Sequence, residues 1–202
     1  MELIYGTTNK AKMQAMKKIA EPLGIKLLSL DDVGTPKLNV EENGNSPLEN
    51  AKIKALAYYK VLKRPLFSCD SGLYIDEVDD ARQPGVNIRG VGDVMDDDAA
   101  VAYYAGLAGE FGGRITARYR NAIVLVLDEN SVHEYMNEDI ESERFAIVSK
   151  PHGKRVAGFP LDGLSVHIGS GKYYYDMDSG YEKLINEDDG FAAFFKRILN
   201  IE

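Results

Sequence analysis

Cysteine is almost absent from this chain: of 202 residues only Cys69 carries a thiol. No disulfide can form within it, so stability has to come from a packed core, which 45% hydrophobic residues can supply. Tryptophan is missing altogether. The three histidines, His133, His152 and His167, show no metal-ligand spacing, and core or surface positions account for each. The longest apolar run lies around Ala122–Leu127, far short of the ~20 residues a membrane helix needs, which excludes a spanning segment and any membrane partner. Residues 10–18 are too interrupted by charge to be a leader, and a soluble cytoplasmic protein is expected. A basic excess is also lacking. With 24 Lys and Arg against 32 Asp and Glu, the net charge is -8, which argues against a nucleic-acid polymer as partner. A small anionic ligand stays open, because a few local donors can hold phosphate within an acidic protein.

What is present alternates between strand and helix signals. "ELIY" is short and apolar, "GTTN" turns, and Met13, Met16, Ile19 and Leu23 then recur at helical spacing. "SPLENAKIKALAYYKVL" repeats that period through Ala51, Ala55, Tyr58 and Leu62, Pro65 stops it, and "LFSCD" reads as the next strand. A helix is expected from Asp97 through Leu107, a long strand over "RITARYRNAIVLVLDE", antiparallel strands at "SVHEYMN" and "SERFAIVS", and a closing amphipathic helix at "GFAAFFKRILN". The fold class is mixed α/β, with no internal repeat, low-complexity tract or clear linker.

Three stretches carry candidate chemistry. In "GTTNKAK" a strand runs through Gly6, Thr7, Thr8 and Asn9 into a helix. Hydroxyls, an amide and free N–H groups would face a phosphate there, with Lys12 nearby, or Asn9 or Thr8 would simply cap the helix. The P-loop pattern is absent. In "NSPLEN", Ser46, Pro47 and Glu49 form a capping box with proline at the first helical position; the other reading makes Glu49 a hard oxygen ligand for magnesium. In "PLFSCDSGLYID", Asp70-Ser71-Gly72 breaks an apolar run. Either the strand ends there and presents Asp70 to a metal or a water, with Gly72 admitting a close approach, or the three residues form a turn.

Taken together and in order, "TTNKAK", "GNSPLENAKIKA", "DSGLYID" followed by "QPGVNIR", and "GFPLD" resemble the motifs of the Ham1/inosine triphosphate pyrophosphatase family along nearly the whole chain. The resemblance implies a single domain over residues 1–202, two-lobed around a long central mixed sheet with flanking helices, with a nucleotide cleft between the lobes. It also implies a homodimer and magnesium-dependent hydrolysis of a nucleoside triphosphate to monophosphate and pyrophosphate, possible substrates being inosine- or xanthosine-type nucleotides. By position, Thr7, Asn9 and Lys12 would hold the triphosphate, helped by Ser71 and Gly72. Glu49 and Asp70 would manage Mg2+ and the attacking water. Phe159 would stack on the base, Asp162 would position the nucleotide or its water, and Lys172 and Lys183 would add positive charge.

The departures are specific. Cys69 replaces the first of the family's two aspartates before the serine, and a small buried residue is the expected reading of it. "PGVNIRG" is one residue short of the family's usual segment, which leaves Arg89 without a settled equivalent. Glu187-Asp188-Asp189 stands where the family has Ser-His-Arg. Ionised carboxylates only accept hydrogen bonds, so weakened discrimination for 6-oxo purines is expected if they read the base. If they do not, they are acidic residues at a helix N-terminus. The alternative to the enzyme is a nucleotide-binding protein of the same fold with altered base specificity or little turnover.

Overall fold

The computed structural model describes residues 1–35, 38–90, 95–177 and 187–201, with the backbone alone at Glu187 and Asp188. Lys183, Glu182 and the segment around them lie outside the described residues. Strand β1 (Glu2–Tyr5) feeds helix α1 (Lys10–Ala20), which buries Met13, Met16 and Ile19 as their spacing requires. A 3-10 turn with Pro22 and then Gly24, at φ 72°, stops α1 and delivers strand β2 (Lys26–Leu28). Helix α2 (Pro47–Leu62) starts at Ser46, whose hydroxyl accepts the Glu49 N–H at 3.2 Å. Strand β3 (Leu66–Ile75), helix α3 (Asp97–Glu110, capped by Asp96) and the long strand β4 (Arg114–Asp128) follow. Strands β5 (Ser131–Tyr135), β6 (Phe145–Val148) and β7 (Ser165–His167) precede helix α4 (Glu187–Leu199). None of the described helices is long and apolar enough to cross a membrane.

The sheet is mixed, in the order β2-β1-β3-β4-β6-β7, with β5 also on β4. Strand β1 pairs in parallel with β2 and β3, whereas β4–β5, β4–β6 and β6–β7 are antiparallel. The chain divides into two compact units: residues 1–71, 120–141 and 186–202, and residues 72–119 and 142–185. Both divisions fall inside strands, at Ser71/Gly72 of β3 and Tyr119/Arg120 of β4.

In the first unit the odd-numbered side chains of β3, Phe67 and Cys69, face α1 and α4. Phe67 stacks on Tyr5 at 4.5 Å and meets the edge of Phe195 at 5.2 Å, and a buried aromatic of this kind contributes ~1.5–3 kcal/mol. Leu66, on the other face, packs with Ala51, Ala55 and Tyr58 of α2. The second unit has its own core of Leu73, Ile75, Tyr104, Leu107, Ile115 and Ile147.

Two expectations change. Asp70-Ser71-Gly72 neither ends the strand nor turns: β3 runs through all three residues. The Ser71 hydroxyl is satisfied sideways by Asn121 at 2.7 Å. Gly72 has no Cβ because one would stand 3.0 Å from the Gly85 backbone, which bridges Leu73. The close approach that Gly72 allows is therefore that of the chain itself. The tyrosine run Tyr173-Tyr174-Tyr175 could by sequence line a cleft or alternate in a strand, and the strand is not what forms, because Tyr174–Asp176 is a 3-10 turn.

Helix α4 docks on the 3-10 turn at Glu138–Ile140 through Gly190, where a Cβ would stand 2.0 Å from the Asp139 carbonyl oxygen. Gly106 of α3, in contrast, is exposed with nothing within 4 Å of its Cβ position. The same substitution should therefore act with opposite signs. Thermal or urea unfolding should show Gly190→Ala losing ~1–3 kcal/mol or more by overpacking, and Gly106→Ala gaining up to ~1 kcal/mol by helix propensity. A neutral Gly190→Ala would contradict this docking.

Candidate functional site

In the first unit the site is assembled where β1 stops beside the middle of β3. The Gly6 N–H donates to the Phe67 carbonyl at 2.8 Å, and the Ser68 hydroxyl donates to the Gly6 carbonyl at 3.2 Å. A Cβ on Gly6 would stand 2.4 Å from the Ser68 Oγ, so only glycine lets the 6–9 loop lie this close to β3. Asn9 caps α1, its Oδ1 accepting from the Ala11 and Lys12 N–H groups at 2.9 and 3.1 Å, and the Thr7 Oγ1 accepts the Asn9 N–H at 3.1 Å. Capping is thus what Thr7 and Asn9 do in the free protein. Their loop presents the positive end of α1, with Lys12 in its first turn.

Asp70 projects on the α2 face of β3, and its side chain is only 14% exposed. Helix α2 brings Asn50 and Lys54 to it, one turn apart on the same face. The Asn50 side chain faces the carboxylate and favours its charged form, while its Oδ1 accepts the Gly44 N–H at 2.8 Å. The Lys54 ammonium lies 3.7 Å from Asp70 and 2.7 Å from Glu42. Burial raises the Asp70 pKa above the usual carboxylate value. The positive charges of Lys54 and Lys12 and the Asn50 hydrogen bond work against that rise, and the charge of Glu42 adds to it. A desolvated carboxylate beside one ammonium group, and within reach of the charge of a second, can take a proton from water beside an anion.

Glu49 points elsewhere: its Oε2 accepts the Asn45 N–H at 2.7 Å, which fits the capping role. Ser71 spends its hydroxyl proton on Asn121, whose amide is held in turn by the Ile140 carbonyl at 2.8 Å. Cys69 faces the core with Tyr5, and burial pushes its thiol up to about 12, so it is inert.

In the second unit Arg89 is a clamp. Its guanidinium donates to the Asp97 carboxylate at 2.6 Å, the Met95 carbonyl at 3.1 Å and the Gly158 carbonyl at 3.2 Å, and Asp97 also accepts the Gly158 N–H at 2.7 Å. The Gly158 N–H and Arg89 hold the Asp97 carboxyl below its ordinary range. The clamp fixes the loop carrying Phe159, which is 48% exposed. Arg89, Phe159, Asp162 and Tyr119 line a cavity of about 390 Å³. Asp162 is half-buried there, and burial raises its pKa. Lys172 is exposed, and its carbonyl accepts the His167 N–H at 2.9 Å.

The structure thus lets the charge of Lys12 act on Asp70, and sets Phe159 and Asp162 on the lining of one cavity. It also shows three residues that sequence reasoning missed: Lys54, Asn50 and Glu42. The first two had a signal, since an amide and a lysine at i, i+4 flank Ala51 and Ala55 on the buried side of α2. Glu42 had none, because its place depends on how residues 38–46 loop back. Among the described residues no group of three or more Asp, Glu, His or Cys converges as a metal site.

Comparison with known proteins gives a consistent answer. The dITP/XTP pyrophosphatase of Rhodopseudomonas palustris is 30% identical over 184 residues, covering 88% of this chain and 82% of that protein. That of Bacillus subtilis is 32% identical over 151 residues, covering 70% of this chain and 75% of its own length. The structure of a HAM1 protein from Coxiella burnetii matches with a TM-score of 0.76 over 98% of this chain and 99% of that one, at 21% identity. The nucleoside-triphosphatase / dITP/XTP pyrophosphatase structure from Mycobacterium abscessus matches with a TM-score of 0.65 at 25% identity, over 99% and 97% of the two chains. The Ham1 family profile matches residues 3–180, and the chain belongs to the Ham1 family.

Proposed function

We propose that this protein hydrolyses the phosphoanhydride bond between the α and β phosphates of a deaminated purine nucleoside triphosphate, releasing monophosphate and pyrophosphate. The observation that carries this reading is the buried Asp70 beside Lys54, Lys12 and Asn50, in a chain whose relatives are dITP/XTP pyrophosphatases. Asp70 takes a proton from water, the water oxygen bonds to phosphorus as the bridging P–O bond breaks, and pyrophosphate leaves. Lys12, with the 6–9 loop carrying Thr7 and Asn9, offsets the negative charge of the triphosphate. Ser71 and Gly72 follow on the same strand. Ser71 meets the nucleotide as an acceptor or through its backbone, its hydroxyl proton being engaged. Phe159 supplies a ring for the base, Asp162 positions the nucleotide or its water, and Lys172 and Lys183 add positive charge.

Mg2+ belongs to the same proposal. The Lys54 ammonium bridges Glu42 and Asp70, which marks a place where two carboxylates accept one cation. Hard oxygen donors of this number suit an ion that completes its shell with water and phosphate oxygens. Asp70 with Glu42 is the donor pair the geometry favours; Glu49, the pair's other candidate, would first have to release the Asn45 N–H. When bound, the ion would supply charge neutralisation at the phosphates. A cytoplasmic homodimer is the remaining part of this reading, carried by the family resemblance.

The alternative, nucleotide binding with little turnover, draws on Cys69 standing where the family has aspartate. Cys69 faces the core and not the Asp70 side of β3, so the Asp70 cluster is intact without it. The acidic Glu187-Asp188-Asp189 lies in the first turn of α4, where negative charge favours the helix, and this supports a structural role for it over base reading.

Asp70→Asn separates stability from chemistry. Because burial raises the Asp70 pKa, the folded state holds that proton more tightly than the unfolded chain does. The ionised side chain therefore costs stability at neutral pH, a cost that fades as pH falls through the folded pKa. The variant should melt at or above the wild-type temperature and yet lose ~100-fold or more in pyrophosphate release. Undiminished turnover would remove Asp70 from the chemistry.

Lys12→Ala should weaken binding of a triphosphate ~10-fold or more while changing that of the corresponding monophosphate by less than ~3-fold, measured by titration calorimetry. Equal losses for both ligands would return Lys12 to a solvated helix face.

A further inference from the structure

In the second unit two polar groups lack partners, and their needs are complementary. The Tyr175 hydroxyl oxygen is cut off from solvent and makes no hydrogen bond among the described residues. Buried polar atoms left in this way are rare, and each requires a reason. Asp162 is half-buried, and its carboxylate likewise has no hydrogen bond or ion pair among the described residues. One group is a donor without an acceptor, and the other is an acceptor without a donor.

They are carried by elements that touch. Asp162 is on the 3-10 turn Pro160–Leu164, Tyr175 is on the 3-10 turn Tyr174–Asp176, and the two turns pack together. The Tyr175 ring is packed by the His152 ring at 5.5 Å and by the Lys154 ammonium 4.7 Å from its centroid. His152 is itself fixed: its Nδ1 accepts the Lys154 N–H at 3.0 Å, which leaves Nε2 to donate to Asp176 at 3.2 Å. The ring therefore cannot swing away, and only the hydroxyl is uncommitted. The charge of Asp162 reaches it, raising the Tyr175 pKa after the larger effect of burial, while Arg155 lowers it. The Arg155 chain runs past Gly163, its Cδ 3.5 Å from where a Cβ would stand there. Arg155, Lys154, His152 and Asp176 are thus the charged or titratable groups around the pair among the described residues.

We propose that Tyr175 is the positioning residue of Asp162: on rotation of the half-buried Asp162 side chain its carboxylate accepts from the Tyr175 hydroxyl and is held toward the cavity lined by Phe159 and Arg89. The hydrogen bond stands independently of the reaction; its effect on turnover rests on the pyrophosphatase reading above. A donor to the charged form of a carboxylate lowers its pKa, and a carboxylate fixed in one rotamer presents one acceptor geometry to a bound nucleotide.

Tyr175→Phe keeps the ring against His152 and Lys154 and removes only the hydroxyl. In the intact protein, the Asp162 side-chain carboxyl resonance, assigned by its loss in Asp162→Asn, should titrate ~0.5–1 pH unit higher in Tyr175→Phe than in wild type by carbon NMR. With ITP as probe, kcat/KM should fall ~10-fold, carried mainly by KM, with the melting temperature within a few degrees of wild type. An Asp162 titration unchanged by Tyr175→Phe overturns the proposal, whatever happens to turnover. Absence of pyrophosphate release by wild type would instead overturn the pyrophosphatase reading, and the titration would still decide the role of Tyr175.

Discussion

Placing an ionisable carboxylate in the middle of a buried strand is the constraint around which the first unit is organised. Asp70 could not stay charged on the α2 face of β3 without compensation, and each neighbour is explained by that need. Asn50 is a buried amide in a helix whose Oδ1 is locked by the Gly44 N–H and whose side chain favours the charged form of Asp70. Lys54 lies one turn further along α2 and shares its charge between Asp70 and Glu42. Lys12 reaches the same region because Gly6 permits the 6–9 loop to lie against Ser68. Burial still wins, and keeping Asp70 ionised at neutral pH costs stability.

The second unit solves a different problem, that of presenting an exposed aromatic ring on a loop without letting the loop wander. Arg89 and Asp97 do this with a charge pair that also ties both the N–H and the carbonyl of Gly158, the residue just before Phe159. Arg89, which the shortened "PGVNIRG" segment left without a settled equivalent, is thus occupied in holding a platform. Its planar fork, which can bond several acceptors at once, suits that task.

The parts of the fold that were legible in the sequence were those set by local period and punctuation. Met13, Met16 and Ile19 announced α1, Ser46-Pro47 announced the start of α2, and the apolar run ending at Leu127 announced β4. Asp70-Ser71-Gly72 misled because turn-forming residues look alike whether or not the chain turns. What keeps β3 straight is Asn121 and Gly85, 50 and 13 residues away from the residues they meet, and no local window contains them. The tyrosine run left a cleft lining and a strand equally open, because its 3-10 turn packs on residues 160–164, which no local window contains. Of the site, Lys12 and Asp70 were visible through motif order. Glu42 and the Arg89 clamp depend on loop paths that carry no periodicity.

Cleavage of the bond between the α and β phosphates by this cluster of charges is what the proposed function stands on. The most direct measurement is phosphorus NMR of the products formed from ITP with Mg2+ by the intact protein. The account predicts inosine monophosphate and pyrophosphate appearing together in equal amounts from the first time point. Orthophosphate with inosine diphosphate, or no product at all, would contradict it.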